Sequence, residues 1–303
     1  MAIYQSVQSL NQINFVVFIL TSFFWNVQVC GLSILIGSQV WKGIYGGGIT
    51  DRLGETKSNN KGTLMKIVSY RSSEDLDVEF IDDFHHIKKH QTYVNFRRGQ
   101  IKNPYDKTVF GIGYLGAGKH KMQYLDTKTN TKTYMSWKNM LDRCYGKQNR
   151  DLHPAYFDIS TVCNEWLNFQ TFADWYEERE YKCDGRLHLD KDILHPGNKV
   201  YSPDNCILVP QRINMLFVNK PNNRGLPNGI KKCVRGYSAK YNHEELGSYL
   251  TLEEAYSVYV KKKKEDIIKI ANEYKNIIPD YVYEALIQYE FNIENDKNYC
   301  KIA

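Results

Sequence analysis

Residues 189 to 214, LDKDILHPGNKVYSPDNCILVPQRIN, gather carboxylates at Asp190 and Asp192, a Gly197-Asn198 turn and asparagines at 205 and 214. His188 stands just before this run and His195 inside it. Carboxylate and amide oxygens are hard ligands that suit a divalent cation, and an imidazole can take a proton from water. Metal-assisted hydrolysis of a phosphodiester needs both: an ion to stabilise charge on the leaving oxygen and a base to activate the nucleophile. Side chains alternate along a strand, so His188, Asp190 and Asp192 are expected on one face, with Lys191 facing away or steadying a phosphate.

The elements that would position these groups are legible in the surrounding pattern. HLDKDIL reads as a strand, Pro196 to Asn198 as a turn, Cys206 to Val209 as a second strand, and Pro210 as the opening of a helix carrying Asn214 and Phe217. Upstream, Tyr134, Trp137, Met140, Leu141 and Cys144 recur at three and four, as one helical face does. Trp166, Phe169, Phe172 and Trp175 predict a second helix, and both aromatic sets read as core. Residues 42–115 read as short antiparallel strands at LMKIVSY, DLDVEFID, QTYVNFRRG and FGIGYLG. The turn formers between Asn219 and Gly229 mark a boundary. Beyond it, three strands around 230–234, 237–241 and 246–249 precede a helix opened by a Thr251–Glu254 capping box, and a last helix follows Pro279. The expected fold class is α+β: a small β-rich unit (42–115), a ββα finger with flanking helices (116–218) and a three-stranded sheet plus helix (219–303), after an uncharged segment at 1–41.

In a chain of 303 residues, 42% apolar and 24% charged, this is globular composition and excludes a wholly disordered chain. The net charge of +6 is a weak hint of a polyanionic partner, but between 219 and 270 eleven Lys or Arg face six acids, which makes that segment the expected electrostatic footprint. The 7 cysteines form no CxxC pair and leave an odd count, which fits a reducing cytoplasm. Phe15 to Gly37 is an apolar run long enough to cross a bilayer. A membrane anchor is one reading of it; the favoured reading places the natural start near Leu35. The absence of basic residues before Asn14 counts against a signal peptide. Gly43-Ile44-Tyr45 lacks the second half of a GIY-YIG motif, and Gly46 to Gly48 lack the Lys-Ser/Thr of a phosphate loop.

Residues 187–214 resemble the HNH (His-Me, ββα-metal) finger of nucleases. The resemblance puts Asp190 on the first metal ligand, Asn214 on the helix ligand, Asn205 on the asparagine that orients the base, and Gly197-Asn198 on the hairpin turn. It implies one divalent ion, Mg2+ or alternatively Mn2+. Lys191 occupies the slot of the family's catalytic histidine, and a lysine near its reference pKa of about 10.4 is protonated at neutral pH and cannot serve as the base without strong desolvation. His188, beside Asp190 and Asp192, or His195 is the substitute, or the finger contacts DNA without cutting. Residues 229–263 are similar to the DNA-binding domain of plant APETALA/ethylene-response factors, through Gly229-Ile230, Tyr237 and Ala239, Leu246-Gly247, Tyr249, Thr251, Glu253 to Ala255 and Tyr259. That likeness implies a sheet that enters the major groove, with Lys231, Lys232, Arg235, Tyr237 and Lys240 facing the groove or phosphates. Lys261, Lys262, Lys263 and Lys264 would add salt-sensitive phosphate contacts. Together the two resemble phage and mobile-element homing endonucleases, implying double-stranded DNA as partner and no small-molecule cofactor. The alternatives are a non-enzymatic DNA-binding or regulatory protein on a decayed finger, and a phage interaction factor.

Overall fold

The computed structural model describes residues 35–36, 39–40, 51–146 and 159–300. Most of the apolar run Phe15 to Gly37, and Gly43 to Gly48, lie outside the described residues. Among the described residues no helix is long and apolar enough to cross a membrane. The chain is α+β and divides into two compact units, Met1–Ile101 and Lys102–Ala303.

In the first unit, β1 (Leu35–Ile36) pairs with β2 (Gln39–Val40). Four further strands, β3 (Thr56–Ser58), β4 (Leu64–Ser72), β5 (Asp75–Ile81) and β6 (Ile87–Gln91), form an antiparallel meander in chain order. Period-two alternation buries Leu76, Val78 and Phe80 of β5, and Met65, Ile67, Phe96 and Ile101 complete their core. QTYVNFRRG is not a strand. Thr92 caps a short helix, α1 (Tyr93–Arg97), by accepting from Asn95 N at 3.3 Å, which turns Phe96 into the core.

The second unit begins before residue 116. Tyr114 N donates to Leu167 O at 2.9 Å and its carbonyl accepts from Phe169 N at 3.0 Å, so this stretch packs with the helices that follow it. FGIGYLG forms no strand because Phe110 and Gly111 take positive φ (52° and 76°) and close a turn between Val109 and Gly113. Helix α2 (Lys132–Tyr145) buries Trp137, Met140, Leu141 and Cys144 as the spacing predicts. Trp166 sits in a 3-10 turn (Asn164–Leu167), because Asn168 accepts from Gln170 N at 3.0 Å and starts α3 (Phe169–Arg179) there. Strand β7 (Thr161–Val162) pairs in parallel with β9 (Val200–Tyr201).

The finger is an antiparallel hairpin of β8 (Leu187–Asp190) and β10 (Ile207–Pro210), followed directly by α4 (Gln211–Leu216). Three more strands, β11 (Ile230–Cys233), β12 (Gly236–Tyr241) and β13 (Glu244–Tyr249), form the expected antiparallel sheet. The capping box is formed: Thr251 Oγ1 accepts from Glu254 N and Glu254 Oε2 from Thr251 N, both at 3.2 Å, and this starts α5 (Leu252–Glu273). Helix α6 (Asp280–Gln288) follows Pro279.

The finger and the three-stranded sheet share α5. Leu252, Ala255 and Tyr259 pack on Ile230, Ala239 and Tyr241 of the sheet, whereas Ile267 and Ala271 pack with Ile193, Ile207, Val209 and Ile213 of the finger. At 1.5 Å per residue this helix is a rod of roughly 33 Å with one core at each end. The Asn219 to Gly229 connection is pinned as well: Asn298 Nδ2 donates to Asn219 Oδ1 at 2.8 Å and Asn222 N donates to Asn298 Oδ1 at 2.7 Å.

Candidate functional site

The two faces of the finger hairpin differ. Leu189 and its partner Leu208 enter the core built on α2 and α3, whereas Ile207 and Val209 enter the core built on α4, α5 and α6. Directly paired residues in an antiparallel ladder point to the same face. His188, opposite Val209, and Asp190, opposite Ile207, therefore face the side on which α4 packs. There the Asn214 amide meets His188 Nδ1 at 3.3 Å, so residues 26 positions apart close the finger. Burial, with the charges of Arg143 and Arg186 adding to it, holds the His188 imidazole below its usual range.

His188 lies on the wall of a cleft of about 1130 Å3 between the finger strand and α2. Lys132, Arg143, Lys182 and Arg186 line it, and among the described residues Glu180, paired to Lys132, is the one carboxylate on its wall. Tyr124, Tyr176 and Tyr181 add aromatic surface. A cleft lined mainly by one sign of charge concentrates counter-ions of the other, here an anion or polyanion.

The strand ends at Asp190, so the expected single face of His188, Asp190 and Asp192 is not formed. Asp190 Oδ1 accepts from Asp192 N and Ile193 N, each at 2.8 Å, and this Asx turn takes Asp192 off the strand. Burial, and then the nearby Asp192 charge, push the Asp190 carboxyl up to about 6. Lys191 is buried, with a side chain 4% exposed; its Nζ donates to Asp192 Oδ1 at 2.7 Å and to the Asn198 carbonyl. Engaged as a donor on both sides, Lys191 braces the hairpin turn. Asn198 Nδ2 donates to Lys191 O (3.0 Å) and Val200 O (2.8 Å), and Asn205 Nδ2 donates to Asn198 Oδ1 (3.4 Å) and Val200 O (3.3 Å). Asn205 thus holds the turn, and the partner of His188 is Asn214. His195 is exposed in the turn.

For a cation the finger offers little. One Asp190 oxygen is taken by two backbone N–H groups, and Asn214 meets His188 through its amide nitrogen, which leaves the other Asp190 oxygen and Asn214 Oδ1 as ligand atoms. Among the described residues, sets of three His or acidic ligand atoms within 4.8 Å of one another occur elsewhere, at Asp75, Asp77 and His90 and at His120, Asp174 and Glu177.

The nine side chains expected on DNA do not share one surface. Lys231, Lys232, Arg235 and Lys261 are exposed. Lys231 pairs across from Ser238 on the outer face of the sheet, whereas Lys232 pairs across from Tyr237, which packs toward the helix. Lys240 is bonded to Glu245 at 2.8 Å and Lys262 to Glu244 at 3.0 Å. Helical rotation splits the lysine run: Lys264 donates to the Tyr289 carbonyl, and Lys263 sits 5.0 Å from the Phe291 ring, its ammonium pushed down to about 8 by burial. The four lysines of the run therefore leave the helix in different directions, because successive helical residues are 100° apart.

Sequence reasoning missed the basic cleft. Lys132 and Arg143 come from α2, Lys182 and Arg186 from the approach to β8, and only packing brings them together. The available signal was Arg186, two residues before His188. Comparison with family models, curated proteins and solved structures finds no match to this chain.

Proposed function

We propose that this chain binds duplex DNA and that the finger contacts phosphates at the mouth of the basic cleft, between His188, Arg143 and Arg186. The observation that carries this reading is the His188–Asn214 contact on a hairpin-plus-helix, set in a cleft with four basic side chains. Phosphate contacts fix the register of a protein on a duplex, and Lys231, Lys232 and Arg235, exposed in and beside the three-stranded sheet, are further phosphate contacts in this reading. The burial of Lys191 favours a binding role over hydrolysis, since the slot of the usual base holds a bracing donor.

One observation favours a second reading, in which the chain cuts DNA: His188, held by Asn214 in the cleft wall, sits where burial favours the neutral imidazole, the form that can take a proton from water. In that case Asp190 and Asn214 would hold one Mg2+ or Mn2+, with water and phosphate oxygens completing its shell. Incubating the full chain with supercoiled plasmid and Mg2+ or Mn2+ separates the two. The binding reading expects a gel shift without nicking. Nicking that disappears in both His188→Ala and Asp190→Ala would replace it with the cutting reading, and absence of any shift would remove both.

A further inference from the structure

Away from the finger, the loop Leu115-Gly116-Ala117-Gly118-Lys119-His120 is moulded onto α3. Gln170, buried on that helix, donates through Nε2 to the carbonyls of Leu115 (3.2 Å) and His120 (3.1 Å) and accepts from His120 N at 2.9 Å. A Cβ at Gly118 would collide with the Gln170 side chain, and one at Gly116 with Asn168. Two glycines and a buried amide thus fix the backbone of one histidine.

They deliver its ring, 10% exposed, to the acidic side of α3. His120 Nε2 lies 2.8 Å from Asp174 Oδ1 and Nδ1 lies 3.6 Å from Glu177 Oε1. Asp174 and Glu177 are three residues apart, so they project from adjacent turns of one helix face. The three ligand atoms lie within 4.8 Å of one another. A His ring held by hydrogen bonds to its own backbone, facing two carboxylates, is the donor set of borderline divalent metals, for which imidazole is the preferred nitrogen ligand.

We infer that His120, Asp174 and Glu177 form a binding site for a transition-metal ion of the Zn2+ or Co2+ class, independent of the finger. The competing cation is the ammonium of Lys119, 3.1 Å from Glu177 and 3.4 Å from Asp174. It is 68% exposed on a flexible stem and can swing into solvent, leaving the carboxylates to the ion. The other three-ligand set contrasts with this one: the Arg71 guanidinium bonds to both oxygens of Asp75 (2.5 and 2.6 Å) and of Asp77 (3.1 and 2.6 Å). A planar fork held at four points already fills that set, so it is not assigned a metal.

Co2+ titration of the chelator-treated full chain, followed by visible absorption, tests the assignment. Nitrogen and oxygen ligation gives ligand-field bands without the thiolate charge-transfer band that cysteine ligation would add. The expected result is one Co2+ per chain without that band, displaced by Zn2+. Affinity should fall at least tenfold in His120→Ala and in Asp174→Asn/Glu177→Gln, rise in Lys119→Gln, and stay unchanged in Asp75→Asn, which alters the other three-ligand set. Because both carboxylates are more than half exposed, the double carboxamide variant will retain the fold even where His120→Ala does not. Binding that survives the double variant, that shows the thiolate band, or that Asp75→Asn abolishes would overturn the inference.

Discussion

Lys191 and Lys263 show how burial assigns work to a charged side chain. Lys191, expected from the resemblance at the position of a nuclease finger's base, holds Asp192 and the Asn198 carbonyl across the turn. Replacing it with methionine leaves those acceptors unpaired, and we expect a loss of about 2 kcal/mol. In a unit of this size that is a drop in Tm of roughly 4–8 °C, readable by calorimetry, with DNA affinity of the folded protein unchanged. An unaltered Tm with lost binding would mean that the lysine acts on the ligand. Lys263 gives a pH dependence. Its ammonium, ordinarily at 10.5, is pushed down to about 8 by burial, so the fold favours the neutral amine. That contribution is complete above 10.5 and is lost as pH falls through 8. Lys263→Met has no such loss, so it should be more stable than the natural protein at pH 7, by about 1–3 kcal/mol in urea unfolding, with the advantage fading as pH rises toward 10.5. A pH-independent difference would contradict the shift. At this scale, only the placement of His188 on a strand and of Asn214 on a helix was legible from the pattern; their contact is set by packing. Burial of Lys191 was not legible either, because alternation fixes which side a residue takes but not what waits there.

Among elements, the strands and caps written in local chemistry were legible. The alternation of Leu76, Val78 and Phe80 and the Thr251–Glu254 box appear as expected. Thr251→Ala should cost about 1 kcal/mol in chemical denaturation, since it unpairs Glu254 N at the start of a 22-residue helix. A cost near zero would mean that the tertiary contacts of α5 alone fix its start. The misses have the same local origin. The Thr92 cap overrides the β-like pattern of QTYVNFRRG, and Asn168 starts α3 after Trp166 although the aromatic spacing runs through it. The extent of α5 was only half legible, because Ile267 and Ala271 pack on finger residues some sixty positions earlier, and no local pattern records that contact.

For the whole molecule, the α+β class follows from the order of elements, but the boundaries at 115 and 218 do not coincide with breaks in packing. The first moves to Ile101/Lys102, and across the second the finger and the sheet share a helix. The basic cleft belongs to this scale, since its residues come from segments about forty positions apart and net charge alone says little about where charge collects. The central claim is that this cleft holds DNA phosphates, and the most direct test is the salt dependence of duplex binding by fluorescence anisotropy. Between roughly 50 and 200 mM salt, log K of the natural chain should fall linearly with log salt, and the slope of Arg143→Gln/Arg186→Gln should be shallower by about 2, one unit for each phosphate contact removed. A flat response of the natural chain, or a double variant with its slope intact, would contradict the account.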